Sequence, residues 1–173
     1  VKPFMAAIAL ERGLVRPETL IETGDGRLTM GRFTIRDIRA LGTVTLNEAM
    51  KASSNVAMVK LAQMMQPREM WEAYTRIGFG QRPQLPFPGA ASGRLRPYES
   101  WRPIEQATMS YGYGLSTSLF QLAQAYTVFA TDGKLLPVTL LKSQQPAQGV
   151  PVMSAASAQA VRHMLALSAG PGG

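Results

Sequence analysis

Two places in this sequence combine residue types that can do chemistry. The first is Met50-Lys51-Ala52-Ser53-Ser54-Asn55-Val56, where two hydroxyls and a carboxamide stand between two apolar helical patterns. If the step from Ser53 to Asn55 is extended, side chains alternate along it, and the Ser53 hydroxyl and Asn55 amide point into one small site. The competing reading is that Ser53, Ser54 and Asn55 only cap the second helix, which these residue types do well. The second place is Lys2, followed by Pro3-Phe4-Met5-Ala6-Ala7-Ile8-Ala9-Leu10 with no further charge until Glu11. An ammonium in the first turn of an apolar helix is opposed by the positive end of the helix dipole and, if enclosed, by desolvation. Both effects favour the neutral amine, so Lys2 is a candidate general base. A lysine near a chain end that simply reaches into solvent is the alternative.

The elements that must position these groups can be read from pattern. Val1 to Leu10 reads as a buried helix ended near Gly13. Thr45-Leu46-Asn47-Glu48 is a capping box that opens a short helix, which the Ser-Ser-Asn triplet interrupts. From Val56 to Met65 the helix resumes, with Met58, Leu61, Ala62 and Met65 on one face. Arg27 to Met30 and Arg32 to Ile35 alternate polar and apolar residues across Gly31, the pattern of a small hairpin. Just past it, Asp37 and Arg39 are expected to form a local, solvated pair. Pro67 begins a further helix with Met70, Ala73, Tyr74 and Ile77 as its core stripe. Gln81 to Tyr98 reads as a long ordered loop, Ser118 as the cap of a helix that stops near Asp132-Gly133, and Lys134 to Lys142 as a strand broken by Pro137. Ser154 caps a last helix with Ala158, Val161, Met164 and Leu165 facing inward.

Lys2-Pro3-Phe4 at a helix start and the later Ser53-Ser54-Asn55 are joined by Trp101-Arg102-Pro103 leading into Glu105-Gln106-Ala107-Thr108-Met109-Ser110-Tyr111-Gly112-Tyr113-Gly114-Leu115. As an ordered set these resemble the transpeptidase domain of class B penicillin-binding proteins, most of all the septal, cell-division member, over nearly the whole chain. The superfamily carries three signatures, S-x-x-K, S-D-N and K-T-G, the middle one written here with Ser in place of Asp. The resemblance implies a mainly α chain, the helical subdomain of the α+β penicillin-binding protein transpeptidase and serine β-lactamase-like fold. A small β-hairpin is expected beside the site, and the central sheet largely missing. With Lys2 as the lysine of S-x-x-K, the nucleophilic serine falls two residues before Val1, and the Lys-Thr/Ser-Gly strand falls after Gly173. Residues 1–173 are therefore expected to be a partial transpeptidase domain, inert by itself.

The activity implied by the resemblance is that of a serine-type D,D-transpeptidase in septal cell-wall synthesis. A serine attacks the carbonyl between the two terminal D-alanines of a peptidoglycan stem peptide, and a neighbouring stem amine resolves the acyl-enzyme into a cross-link. β-Lactam antibiotics acylate the same serine. The implied catalytic residues are Lys2 as base, Ser53 as proton relay between Lys2 and the departing nitrogen, and Asn55 as donor to a substrate carbonyl. The implied location is the periplasmic face of the bacterial inner membrane, with the anchor outside this chain and other cell-division proteins as partners. Two other readings stand beside it. A β-lactamase or β-lactam sensor shares the framework, but hydrolysis needs a group that activates water, and no carboxylate here is identifiable as one. A non-catalytic division scaffold domain is the third.

Composition bounds these readings. Apolar residues make up 46% and charged residues 17%, which excludes a disordered chain, and 173 residues allow one domain with an ordinary core. The net charge of +7 comes from Lys and Arg scattered along the chain, without the clustered footprint that nucleic acid requires, so no nucleic-acid partner is expected. Absence of cysteine removes disulfides and thiolate metal sites, and the carboxylates never cluster with His163, the single histidine. No metal or cofactor is expected, and His163 is expected at the surface. Gly112-Tyr113-Gly114 has Thr117 where a dinucleotide fingerprint needs its third glycine, so no phosphate cradle is implied.

Overall fold

A computed structural model describes residues 1–85, 89–140, 142 and 144–171. The fold is organised around α1 (Lys2–Glu11), whose residues from Pro3 to Ala9 are all buried. Proline in the first turn suits a helix start because the missing N–H is one that would go unpaired there anyway. The small side chains of Ala6, Ala7 and Ala9 let other helices approach closely. α1 ends at Arg12, and Gly13 turns the chain away at a φ of 66°. Phe4 lies among Phe79, Tyr126 and Phe129 at ring-centroid distances of 5.3, 5.2 and 5.1 Å, which ties α1 to the middle and end of the chain.

The next segment holds two antiparallel pairs. β1 (Leu20–Gly24) pairs with β4 (Gly42–Thr45), and between them β2 (Arg27–Met30) forms a hairpin with β3 (Phe33–Arg36). The hairpin follows the sequence pattern, with Leu28 opposite Ile35. The β1/β4 pair was not legible in the sequence. In β1 the two inward positions are Ile21 and Thr23, so a polar side chain occupies a core-facing place, its hydroxyl donating to the Gly42 carbonyl at 2.9 Å. Hydropathy alternation therefore fails along that strand.

From Thr45 onward the chain is helical. α2 (Leu46–Lys51) starts at the expected capping box, in which the Thr45 hydroxyl accepts from the Glu48 N–H and Glu48 accepts from the Thr45 N–H. α3 (Asn55–Gln63) follows and is buried at Val56, Ala57, Met58, Val59, Leu61 and Ala62. α4 (Pro67–Arg76) buries Met70 and Tyr74, with the Tyr74 hydroxyl donating to the Met109 carbonyl at 3.1 Å. The Gln81 to Tyr98 segment is irregular as expected. It is held by the buried Gln121 amide, which donates to the carbonyls of Gln81 at 2.8 Å and Ser92 at 2.7 Å. Pro86, Phe87 and Pro88 lie outside the described residues.

α5 (Pro103–Met109), α6 (Leu119–Ala130) and α7 (Ala155–Ala169) complete the core. The expected strand from Lys134 to Lys142 is corrected: β5 covers only Lys134–Leu135, paired with β6 (Val150–Pro151), because Pro137 has no N–H to give a ladder. Leu141 and Ser143 lie outside the described residues. α7 is fastened to the end of α1 by Glu11, whose carboxylate accepts from the Ser154 N–H at 3.0 Å and from the Ser154 and Ser157 hydroxyls at 2.6 and 2.7 Å. The described residues thus form seven α-helices with three two-stranded sheets, a mainly α chain without a central sheet. Among them, no helix is long and apolar enough to cross a membrane.

Candidate active site

The first turn of α1 and the break between α2 and α3 meet. The Lys2 ammonium donates to the Ser53 hydroxyl at 2.7 Å and to the Ser53 carbonyl at 2.5 Å. Ser53 reaches this geometry by an unusual backbone. Its φ is 56°, in the left-handed region that costs a non-glycine residue about 1–2 kcal/mol. The extended Ser53-to-Asn55 step expected from the sequence is therefore corrected. A left-handed turn at Ser53 aims its oxygens at Lys2, and side-chain alternation does not bring Asn55 there. The turn is held on its N-terminal side by the Ser53 N–H to the Met50 carbonyl at 3.0 Å and the Ser54 N–H to the Ala49 carbonyl at 2.9 Å.

Ser54 and Asn55 face elsewhere. Ser54 is buried and caps α3, its hydroxyl accepting from the Ala57 N–H at 2.9 Å. The Asn55 side-chain amide donates to the Arg36 carbonyl at the end of β3, at 2.9 Å. Of the three residues singled out from the sequence, the structure thus joins Lys2 to Ser53 and sets Asn55 beside them on the hairpin. The capping reading and the chemical reading both hold, for different residues: Ser54 caps, and Ser53 meets the lysine.

Sequence reasoning misassigned Asp37. It does not pair with Arg39. One carboxylate oxygen accepts from the backbone N–H groups of Asn55 at 2.5 Å and Val56 at 3.0 Å, and the other accepts from the Ser54 hydroxyl at 2.6 Å. A carboxylate stacked on the unpaired N–H groups of a helix start outcompetes a solvated partner. The only sequence signal for it was an acidic residue directly after a strand, since the helix it caps begins 18 positions later.

Electrostatics bear on Lys2. Burial pushes its affinity for a proton down, and the Asp37 carboxylate partly counters this. Ser53, by contrast, is exposed while Lys2 is half-buried. Gly112, at a φ of 103°, lets the turn after α5 close on the start of α1: a side chain there would come within 3.3 Å of Val1. A cavity of about 310 Å³ lies at the other end of α1, lined by Ile8, Glu11, Glu69, Arg76 and neighbours, and includes none of Lys2, Ser53 or Asn55. His163 is exposed on α7, away from these contacts.

An amine held short of its usual basicity and bonded to an exposed hydroxyl can take a proton from one side and pass it through the hydroxyl to another. Such a pair suits acyl transfer from a nucleophile close to Lys2.

Comparison with known proteins bears on the family. A family profile described as "Penicillin binding protein transpeptidase domain" matches residues 1–173. The chain is 42% identical over 165 residues to the probable peptidoglycan D,D-transpeptidase PenA of Neisseria flavescens, covering 95% of this chain and 41% of that protein. It is 34% identical to the peptidoglycan D,D-transpeptidase FtsI of Escherichia coli, covering 100% of this chain and 29% of that protein. It therefore spans less than half the length of these curated relatives. The apo structure of the transpeptidase domain of penicillin-binding protein 3 from Burkholderia pseudomallei superposes with a TM-score of 0.96 at 51% identity, over 99% of this chain and 53% of that one. A Burkholderia ambifaria crystal structure, described as a peptidoglycan glycosyltransferase, also superposes at 0.96, with 50% identity over 99% of this chain and 55% of that one.

Proposed function

Because this chain belongs to the penicillin-binding protein transpeptidase domain family, we propose that it is the helical half of the active site of a peptidoglycan D,D-transpeptidase. The observation that carries the proposal is the pair of hydrogen bonds from the Lys2 ammonium to the Ser53 hydroxyl and carbonyl. A serine three residues before Lys2, on the same helix, gives its proton to the neutral amine as its oxygen attacks the carbonyl between two terminal D-alanines of a stem peptide. The carbon–nitrogen bond breaks, and the departing D-alanine nitrogen takes a proton relayed from Lys2 through the Ser53 hydroxyl. Asn55, on the same turn, orients the substrate by donating to one of its carbonyls with the second amide hydrogen, the first staying on the Arg36 carbonyl. In the second half-reaction a neighbouring stem amine attacks the acyl-enzyme, and the proton path runs in reverse.

On this reading β-lactams acylate the same serine. The protein works at the periplasmic face of the inner membrane in septal synthesis, beside other cell-division proteins. The ordered motifs Lys2-Pro3-Phe4, Ser53-Ser54-Asn55 and Trp101-Arg102-Pro103, which resemble the septal member most, support that narrower assignment.

The test uses the full-length protein and a fluorescent penicillin. Lys2→Ala lowers the acylation rate by about 10²–10⁴, the usual worth of a positioned general base, and Ser53→Ala lowers it toward the lower end of that range. Wild-type protein that takes up no label, or a Lys2→Ala variant labelled at the wild-type rate, refutes the assignment. Depletion that leaves division intact refutes the septal role.

A further inference from the structure

The outward face of the β2/β3 hairpin carries charge that the reaction described above leaves unused. In the register of the ladder Arg27 stands directly opposite Arg36 and Thr29 opposite Thr34, while Leu28 and Ile35 point the other way and pack with Val56 and Val59 of α3. All four outward residues are exposed. Facing side chains in such a pair start from Cβ atoms roughly 5 Å apart, where two like charges repel and weaken the pairing of the strands. A hairpin under no other demand gains by setting an acid opposite an arginine.

Nothing within the described residues relieves that repulsion. Arg27 reaches Asp25 only at 4.0 Å, between side chains that are 61% and 73% exposed, a contact of little worth in water. The Arg36 guanidinium has no hydrogen bond or ion pair among the described residues. Arg32, the third arginine of the hairpin, is engaged differently and lies over the Phe33 ring at 5.2 Å. The two facing guanidiniums are thus open forks of donors, each shaped to take a carboxylate through two hydrogen bonds. With Thr29 and Thr34 beside them the face is polar, and it lacks the apolar anchor on which protein partners usually centre. A small acidic group on a polar chain fits it better than a folded protein does.

The position of the pair says which acid. Gly31 turns the hairpin at its far end, so Arg27 and Arg36 occupy the open end, next to the Ser-Ser-Asn turn. There the Arg36 carbonyl takes one hydrogen of the Asn55 amide at 2.9 Å. A substrate carbonyl on the other hydrogen lies roughly 6 Å from the Arg36 backbone, two hydrogen-bond lengths away. An extended peptide advances about 3.3 Å per residue, so a carboxylate one to three residues from that carbonyl comes within reach of both arginine side chains.

We propose that Arg27 and Arg36 form a carboxylate-binding subsite that selects stem peptides bearing a free carboxylate on the residues preceding the terminal D-alanines. This rests on the transpeptidase reading above, which supplies the stem and the place of its carbonyl. A carboxylate seated between the two guanidiniums is drawn by both and removes the repulsion between them, so the strain of the empty hairpin favours the acidic stem.

The test uses the full-length protein and two donor thioesters, identical except that the residue before the D-alanine thioester carries a side-chain carboxylate in one and its carboxamide in the other. Release of thiol gives kcat/KM for each in wild type, Arg27→Gln, Arg36→Gln and the double variant. Wild type is expected to prefer the acid by about three- to tenfold, each single variant to lose part of that preference, and the double variant to lose it all. The wild-type preference should also shrink as salt is raised from about 50 to 500 mM. Arg36→Gln is expected to melt about 1 °C higher, because the facing charges no longer repel. Wild type without a preference, or a preference that survives in the double variant, overturns the proposal, and either is the result that an acidic protein partner or a merely solvated pair would give. So does an Arg36→Gln variant that melts lower, which makes Arg36 a residue that holds the hairpin together. Wild-type protein that takes up no fluorescent penicillin refutes the transpeptidase reading instead. NMR titration of wild type and double variant with the acidic and carboxamide peptides then still decides the subsite: equal affinities overturn it.

Discussion

Replacing Ser53 by alanine and by glycine isolates the backbone strain at the centre of the site. Both variants remove the hydroxyl that Lys2 meets at 2.7 Å, and both keep the carbonyl that it meets at 2.5 Å, so the lost contact cancels in the comparison. What differs is the φ of 56°, which alanine must adopt at about 1–2 kcal/mol and glycine adopts freely. Glycine returns about 0.5–1 kcal/mol of this through the greater freedom of its unfolded chain. The glycine variant should therefore be the more stable by about 1 kcal/mol, or roughly 2–4 °C in melting temperature for a domain of this size. Calorimetry of the two variants side by side reads this directly, and penicillin labelling reads the cost, since acylation should fall equally in both. An alanine variant as stable as the glycine variant would refute the argument that Ser53 is strained. Unequal labelling would show that the backbone at residue 53, and not only its hydroxyl, sets the reaction.

Further consequences follow from the core and its polar ties. Tyr74→Phe removes one of the two donors to the Met109 carbonyl, which keeps the Gly112 N–H at 3.2 Å, and should cost about 1 kcal/mol in unfolding free energy, with the labelling rate unchanged. Phe4→Ala empties the middle of the aromatic cluster at the heart of α1 and should cost about 3–5 kcal/mol, read by the same denaturation curves. Glu105 is held at about 2, against an ordinary 4.5, first by the Arg102 backbone N–H and then by Arg96. A lowered carboxylate stabilises the fold above its ordinary value and stops doing so as the pH falls from about 4.5 toward 2. Glu105→Gln should therefore flatten the loss of stability over that interval, and a melt that stays as steep removes Glu105 from the account. Finally, intact-mass analysis of the polypeptide of residues 1–173 after exposure to penicillin should find no adduct on Ser53 or Ser54. Ser54 is buried between Asp37 and Ala57, and the Ser53 hydroxyl comes from a left-handed turn and not from the helix that carries Lys2.

Most helices were legible because they carry their own signals: capping boxes at Thr45 and Ser118, a proline at the start of α4, and apolar stripes such as Met70, Tyr74 and Ile77; α5 was not read as a helix. Lys2, Ser53 and Asn55 were legible as a set because residue type and order carry the resemblance. Their geometry was not. A left-handed serine leaves no mark on composition or periodicity, and the extended step that seemed to unite Ser53 with Asn55 is replaced by a turn that sends them to Lys2 and Arg36. Asp37 was read through its neighbour Arg39 because sequence shows local pairs first. Its actual partners are fixed by how the β2/β3 hairpin docks on α3, through Ile35, Val56 and Val59, a tertiary contact with no local signature. β1 was hidden for a related reason, since Thr23 faces the core and pays its polar debt to Gly42.

The same packing that makes α1 the centre of the fold also acts on Lys2. Helices on several sides and the aromatic cluster at Phe4 fix the axis of α1, and burying its first turn withdraws water from the lysine, which lowers its hold on a proton. A lysine on a surface helix with the same neighbours in sequence would stay charged and mobile. In the proposed relay Ser53 needs the opposite treatment, exposure to an arriving substrate with a fixed orientation, and its left-handed backbone gives its oxygens that orientation toward Lys2. The site thus asks one region to be buried and the adjoining turn to be exposed and strained. The polar ties of Asp37 and Arg36 fasten the start of α3 directly after that turn, so the exposed strained residue adjoins a firmly held helix start.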